Sequence, residues 1–574
     1  MKAVWTAAAA ALLLAGSASA ASDCHCLPGD DCWPAASQWD ALNSTVGGRL
    51  IATVPVGSPC HEPTYDATAC AQLKEDWNLP QTHYVSSSSV MQQFFANRSC
   101  DPFTDKSTPC ELGNYVSYAV DVASSDDVVA AIRFAQDNNV RFVIKNTGHD
   151  YLGRSTGAGA LSVWTHNLKD IEYVDWAEDS YTGPAYKLGS GVQGFDVLET
   201  THAKGHVVVG GECPTVGLAG GYLQGGGHSA LSTSFGLGAD QALAFEVVTA
   251  SGEVITASRT ENTDLYWALS GGGAGNWAVV LSVTVKAYQN EIVSGATVTF
   301  KTSDLSKEIF TDAVDHFHRL LPDMIDAGTT VIYQMLPGYF LIKPLTAFNM
   351  TSSQVKDVLA PFLSELDGLS IKYQANYTQY DSYYDHYQKY MGPLPNGNLG
   401  VGEFTYGGRL LPRSVLQSNP TDLATALYDI TSQGIVAVGV GLDVSKTNDV
   451  DNAIFTHWRE AAVTMQIGIS YNDTASWSQL LAEQQKMTEE INPLLEAVTP
   501  GGGTYENESN FLQPNWKEVF FGDNYSKLEQ IKSKWDPDHF FYVLKGVGSD
   551  YWSVAEDGRM CRAQKRSLPP ACKA

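Results

Sequence analysis

Apolar positions along the chain change rhythm several times, and the changes outline its elements. Residues 118–123 read as a strand. Ser124 or Ser125 can cap a helix there, with Asp126 and Asp127 in its first turn, where the helix dipole favours negative charge. Val128, Ala131, Ile132 and Ala135 form an apolar stripe at helical spacing, Asn138 and Asn139 end it, and residues 140–144 return to strand. Short strands follow at 161–165, 171–174, 186–189 and 207–209. A hairpin is predicted from 244–250 to 253–257 across Ser251 and Gly252, and a further strand at 279–287. After about residue 292 glycine thins out. Amphipathic helices at 307–321, 353–366, 422–433 and 477–495 then alternate with strands at 331–335, 435–444 and 463–471. These patterns predict an α+β protein of two main domains, the second a sheet covered by helices. No internal repeat, heptad array or long low-complexity tract interrupts them.

Both ends depart from this pattern. Lys2, an apolar run over residues 7–15 and Ala18-Ser19-Ala20 read as a secretory signal peptide over residues 1–20. That run is too short to span a bilayer, which takes about 20 apolar residues. Residues 21–110 are rich in Cys, Pro and Ser with weak periodicity, and are expected to form a loop-rich extension stapled by disulfides. Ten cysteines and seven N-x-[ST] sequons, at Asn43, Asn97, Asn349, Asn376, Asn472, Asn507 and Asn524, agree with export to an oxidising compartment. Cys561 and Cys572 are expected to pair in the tail, and no cysteine spacing suits a metal site. A net charge of −27 over 574 residues argues against nucleic acid and anionic lipid as partners, since both need a basic face.

Three glycine-rich segments carry candidate chemistry. In the first, the 140–144 strand runs into Asn146, Thr147, Gly148, His149 and Asp150, a loop whose backbone N–H groups could cradle a diphosphate. In the second, eight of the eighteen residues from Gly210 to Gly227 are glycine, around Cys213, Val216, Gly217, Gly220 and Gly221, and His228 follows. About 1 kcal/mol is lost for each glycine in a helix interior, so this stretch suits backbone packed flat against a planar ring. The third, from Asp264 to Asn276, meets its glycines after a helix. The order strand, glycine turn, helix that a Rossmann site requires is reversed, which disfavours a nicotinamide enzyme.

Together with Tyr505, Asn507, Asn515-Trp516, Asp536-Pro537 and Phe541-Tyr542 near the C-terminus, and more weakly Asn452 and Trp458-Arg459, these segments resemble the FAD-linked oxidases of the vanillyl-alcohol oxidase type, in the berberine-bridge-enzyme-like and oligosaccharide-oxidase branch. The resemblance implies a bipartite FAD-binding domain at 111–291 and a substrate domain at 292–500 with an antiparallel sheet covered by helices. A segment at 501–552 would return to the FAD domain, followed by a tail at 553–574. It places an 8α-histidyl flavin bond on His149 and a 6-S-cysteinyl bond on Cys213, making FAD bicovalent. It assigns Asn146, Thr147, Gly148, Asp150, Val216, Gly217, Gly220, Gly221, Gly227 and His228 to the cofactor. Tyr505 paired with Asp443 would be the base, and Val216 at the oxygen-gate position favours an oxidase that returns H2O2. The implied partners are a small-molecule alcohol, which could be a sugar, and molecular oxygen. A flavin dehydrogenase or oxidative cyclase of secondary metabolism, or a secreted flavin binder without activity, are the competing readings. Glu508 stands where many members of the branch carry Tyr, and the sequon at Asn507 is expected to be unmodified because a glycan there would block the site.

Overall fold

The computed structural model describes residues 24–447 and 450–563. The proposed leader and Cys572 lie outside them. The first strands are β1 (Leu50–Ala52), β2 (Tyr118–Asp121), β3 (Phe142–Lys145) and β4 (Leu161–Trp164), in a sheet ordered β1-β2-β4-β3. β2 and β3 run parallel to β4, and β1 is antiparallel to β2. A parallel pair needs a crossover, and here helix Ser125–Asp137 supplies it between β2 and β3. Its predicted stripe of Val128, Ala131, Ile132 and Ala135 is buried against Trp39, Val120, Phe142 and Leu161. The helix start is fixed by Asp127, whose Oδ2 accepts the backbone N–H groups of Ala123 (2.9 Å) and Ser124 (3.1 Å).

The next strands are β5 (Ile171–Glu178), β6 (Tyr181–Gly189), β7 (His206–Val207), β8 (Ala242–Val248), β9 (Val254–Ser258), β10 (Val279–Lys286) and β11 (Tyr288–Gln289). Five form an antiparallel sheet, β5-β6-β10-β8-β9, and β7 pairs with β11. β8 and β9 are the predicted hairpin.

The third sheet is the largest. Its strands are β12 (Val293–Lys301), β13 (Thr329–Leu336), β14 (Tyr339–Phe348), β15 (Tyr373–Tyr380), β16 (Phe404–Pro412), β17 (Val436–Gly441) and β18 (Ala461–Ser470). The order β15-β12-β14-β13-β17-β18-β16 is antiparallel throughout. Helices Lys307–Asp326, Ser352–Gly368 and Pro420–Thr431 cover one face, where Phe317, Leu359, Phe362 and Leu427 pack on Val331, Tyr333 and Ala437. Strand side chains alternate between faces, so Ile332, Gln334, Val438 and Val440 point the other way, toward a cavity shared with the first half. Helices Trp516–Phe521 and Asn524–Trp535 return the chain to that first half, burying Phe520, Phe521, Leu528 and Ile531 with Phe245 and Trp277. β19 (Trp552–Val554) and β20 (Met560–Arg562) end the described chain as a small hairpin.

Two expectations change at the ends. The N-terminal segment is more than loops: it contributes β1 to the first sheet and helices Ala36–Thr45 and Ala67–Glu75. Cys561 pairs with Cys24 rather than with Cys572, so the bond joins the two ends of the described chain. The antiparallel bridge between Cys24 and Cys561 explains the choice, since it places the two side chains opposite each other. Cys26–Cys32, Cys60–Cys70 and Cys100–Cys110 are also bonded, which leaves Cys213 as the free cysteine among the described residues.

Candidate active site

β3 delivers the chain into the loop at Asn146 to Asp150. Asp150 shapes it, its Oδ2 accepting the backbone N–H groups of Leu152 (3.0 Å) and Arg154 (2.6 Å). Gly148 has φ +87°, a conformation that side chains other than glycine rarely adopt. Behind the loop the N-terminal segment closes in: the N–H of Met91 donates to the Gly148 carbonyl at 3.0 Å, and Lys145 Nζ to the Ser86 carbonyl at 2.8 Å.

The glycine-rich segment packs across this loop. Its strand-like bridge from Gln193 to Gly217 brings Gly217 onto Asn146, where an added Cβ would fall 2.5 Å from Asn146 Oδ1. Gly225 faces Asn507 in the same way. At these two positions glycine is required by neighbouring side chains, which qualifies the expectation that the run serves a planar ring.

His149 and Cys213 meet at one hydroxyl. Thr215 Oγ1 lies 2.8 Å from His149 Nε2 and 3.4 Å from Cys213 Sγ. Burial pushes the His149 imidazole down to about 3, and the charges of His83 and Lys145 add to the effect, so the ring is neutral with an available lone pair. Burial also pushes the Cys213 thiol up, against its bonds to Thr215.

Both side chains open on a cavity of about 700 Å³, within the range of small-molecule sites. Asn146, Thr147, Gly148, Asp150, Val216, Gly217, Gly220, Gly221, His228 and Tyr505 line the same cavity. Gly227 stands one step behind, its N–H donating to Tyr505 Oη at 3.2 Å. Asn507 Nδ2 donates to that oxygen at 2.8 Å and to the Gly221 carbonyl at 2.6 Å, so this amide is engaged within the site.

Asp443 does not join them. β17 ends at Gly441, and Asp443 Oδ1 is held by the N–H (3.0 Å) and hydroxyl (2.7 Å) of Ser445. It is not among the cavity-lining residues, and the expected pair with Tyr505 is not formed. The carboxylates near Tyr505 are others. His228 Nε2 bonds Glu508 Oε1 at 2.9 Å, and His228 Nδ1 lies 3.2 Å from Glu212 Oε2, an ion pair without hydrogen-bond alignment. Burial opposes a charge on His228, but Glu508 and Glu212 outweigh it and hold its pKa well above the ordinary value.

Sequence reading did not single out Glu212, Tyr151 or Tyr406. The last two stack face to face, centroids 4.0 Å apart, in the cavity wall. Glu212 adjoins Cys213 and could have been found from that; Tyr406 lies on β16, a strand the pattern did not predict. Tyr373, Tyr377, Tyr380, Tyr383 and Tyr384, aromatic rings of the second half, do not line this cavity.

Comparison with known proteins agrees with this arrangement. Residues 116–258 match the model of the FAD binding domain family, and residues 504–548 that of the berberine and berberine-like family. The FAD-linked oxidoreductase ZEB1 of Gibberella zeae is 52% identical over 547 residues, spanning 95% of this chain and 96% of its own. The chain belongs to the FAD-linked oxidases of the vanillyl-alcohol oxidase type, in the berberine-bridge-enzyme-like branch. Within that family, the crystal structure of the VAO-type flavoprotein MtVAO615 of Myceliophthora thermophila superposes with a TM-score of 0.91 at 43% identity, covering 94% of this chain and all of that one. Chitooligosaccharide oxidase shares the fold, with a TM-score of 0.62 at 19% identity over 75% of this chain and 92% of its own. The protein is therefore an FAD-dependent oxidoreductase.

The residues present fit FAD. A neutral imidazole and a thiol converge on one wall, beside a loop with glycine-shaped backbone, and Asn146 Oδ1 is buried there without a partner.

Proposed function

We propose that this protein is an exported oxidase that removes a hydride from an alcohol carbon, holds FAD through both His149 and Cys213, and returns electrons to O2 as H2O2. The observation that carries the reading is the meeting of His149 and Cys213 at Thr215 on the wall of a cavity that Tyr505 also lines. The glucooligosaccharide oxidase of Acremonium strictum, a fold neighbour, carries a 6-S-cysteinyl, 8α-N1-histidyl FAD. Bound FAD supplies the hydride acceptor. The chain's own residues do the rest. His149 and Cys213 would hold the ring, the backbone N–H groups of the 146–150 loop would hold the diphosphate, and Tyr505 would present its hydroxyl to the substrate oxygen. Val216 on the cavity wall supports oxygen as acceptor. Export is supported by the N-terminal leader, the sequons and the disulfides.

The substrate reading departs from a sugar. The sheet face toward the cavity presents Ile332, Leu336, Leu341, Val436, Val438 and Val440, with Gln334, Lys343 and Gln466 as its polar groups. Sugar hydroxyls set against the six aliphatic side chains of that face would lose their hydrogen bonds to water without a replacement. An alcohol with a mainly apolar, ring-bearing body suits that wall and the Tyr151–Tyr406 stack.

Anaerobic mixing of the purified protein with matched panels of apolar alcohols and sugars tests this directly. Bleaching of the flavin by an apolar alcohol, followed by recolouring in air with peroxide release, is expected. Bleaching without reoxidation would favour a dehydrogenase. A second reading, oxidative cyclisation in secondary metabolism, is favoured by the bifunctional decalin synthase calF of Penicillium decumbens, 41% identical over 554 residues covering 94% of this chain and 96% of its own.

A further inference from the structure

We propose that Glu508 is the base that takes the proton from the substrate hydroxyl, and that His228 and Glu212 are positioning residues that hold its carboxylate at the cavity wall. This rests on the alcohol-oxidation reading of the same cavity.

Tyr505 is already engaged by the protein. Its oxygen accepts two hydrogen bonds, from the Gly227 N–H and from Asn507 Nδ2, and both donors are neutral amides. With both lone pairs engaged, the phenol proton is what the hydroxyl can still offer. Burial, and then the charge of Glu508, raise the Tyr505 pKa well above the usual phenol value. Tyr505 is thus built to donate a hydrogen bond to a substrate oxygen, and it needs a separate acceptor for the substrate's proton.

Asp443 cannot supply it, being tied to Ser445. Glu508 can. One of its oxygens, Oε1, is bonded to His228, and the other, Oε2, is buried in the cavity-lining residue with no hydrogen-bond partner. An unpartnered buried carboxylate oxygen is costly to maintain, and a substrate O–H would satisfy it. In the step, the substrate O–H bond breaks and an O–H bond forms at Glu508 Oε2. The electron pair stays on the substrate oxygen, which Tyr505 hydrogen-bonds; the two-electron oxidation belongs to the flavin.

His228 keeps Glu508 in place from its Nε2, and Glu212 sits at its Nδ1. Glu212 is itself fixed by its neighbours: Tyr387 Oη donates to the carbonyls of Gly211 (3.0 Å) and Glu212 (2.8 Å). The titratable groups facing Glu508 are His228, Tyr505, Tyr151 and Tyr406. Those facing Glu212 are His228, Cys213, Tyr222, Tyr383 and Tyr387. The tyrosine pKa values are all raised, by burial first, so these phenols stay neutral, while His228, whose pKa is held well above the ordinary value, carries a positive charge. Glu403 lies beyond Tyr406.

The test uses the flavin-loaded protein and 4-nitrophenol as a non-reacting probe, followed by calorimetry between about pH 5 and pH 9, a range that spans the ionisation of the probe. In the wild type the neutral phenol donates to Glu508, and affinity falls about tenfold or more as the probe becomes an anion and meets the carboxylate. In Glu508→Gln this fall shrinks to about twofold or reverses. Glu212→Gln lowers the pH at which His228 loses its proton and adds a basic limb to the binding profile, which Glu212→Asp removes again. Absence of wild-type binding, or profiles that coincide in wild type and Glu508→Gln, overturns the assignment. Any alcohol that bleaches the wild-type flavin provides the second reading: Glu508→Gln slows anaerobic bleaching by about 10²- to 10⁴-fold at unchanged flavin content, and equal rates overturn the proposal. If no alcohol bleaches the wild type, it is the proposed oxidation that fails, and the phenol profiles still judge Glu508.

Discussion

Glu506 shows burial outweighing an ion pair at a single residue. Arg154 lies 3.2 Å away, yet desolvation raises the Glu506 carboxyl from about 4.5 to about 7. The folded state therefore holds this proton more tightly than the unfolded chain. Its favourable contribution is complete below about pH 4.5 and is lost as pH rises through about 7. At order of magnitude the swing is about 3 kcal/mol. Melting temperature followed against pH is expected to decline across that window, and Glu506→Gln to flatten the decline; parallel profiles would contradict it. Sequon use is a second residue-scale outcome. Asn97, Asn349, Asn376 and Asn472 are exposed, whereas the amides of Asn507 and Asn524 donate to the protein and Asn43 accepts from Leu50. Glycopeptide mapping of exported protein is expected to find sugars on the exposed four and none on Asn507 or Asn524. At this scale the local motifs singled out two residues, His149 and Cys213, that the fold brings to one hydroxyl. It misled at Asp443, which lies beyond the end of β17 and turns back on Ser445. It was silent on the Glu212–His228–Glu508 cluster, because segments 280 residues apart meet only in the fold.

Among the elements, helix Ser125–Asp137 and β3 set the position of the 146–150 loop, and Asp127 anchors them. Besides capping the helix, its Oδ1 accepts Arg49 Nη2 at 2.5 Å, linking the N-terminal segment to the same start. Asp127→Ala removes a cap and a buried carboxylate together, and a loss of about 2 kcal/mol is expected, read from the denaturant midpoint. Gly217→Ala forces Asn146 to move, and a lower flavin-to-protein absorbance ratio is the expected result, with an unchanged ratio contradicting the close approach. Periodicity found the long helices because each buries one face only. It missed β12, β14, β15 and β16. β14 buries consecutive residues from Pro344 to Ala347, and β16 from Gly407 to Pro412, so alternation is absent there. The N-terminal β1 was hidden because it is three residues long and gains its identity only by pairing with β2.

For the whole molecule, the α+β division was legible, since the glycine-dense first half and the helix-rich second half differ in pattern along their entire lengths. How the ends join was not: the Cys24–Cys561 bond closes a separation of 537 residues that no local spacing encodes. The cavity is walled by the 146–150 loop, the glycine-rich segment, the largest sheet and Tyr505, Asn507 and Glu508, parts that only the fold brings together. Attachment of FAD at two points of that cavity is the central proposal. Peptide mass spectrometry of the denatured, digested yellow protein tests this most directly. It is expected to show one flavin adduct joining the peptides that contain His149 and Cys213, a single bond in each of His149→Ala and Cys213→Ala, and none in the double variant. Colour released into the acid supernatant, with both wild-type peptides recovered at their unmodified masses, would contradict it.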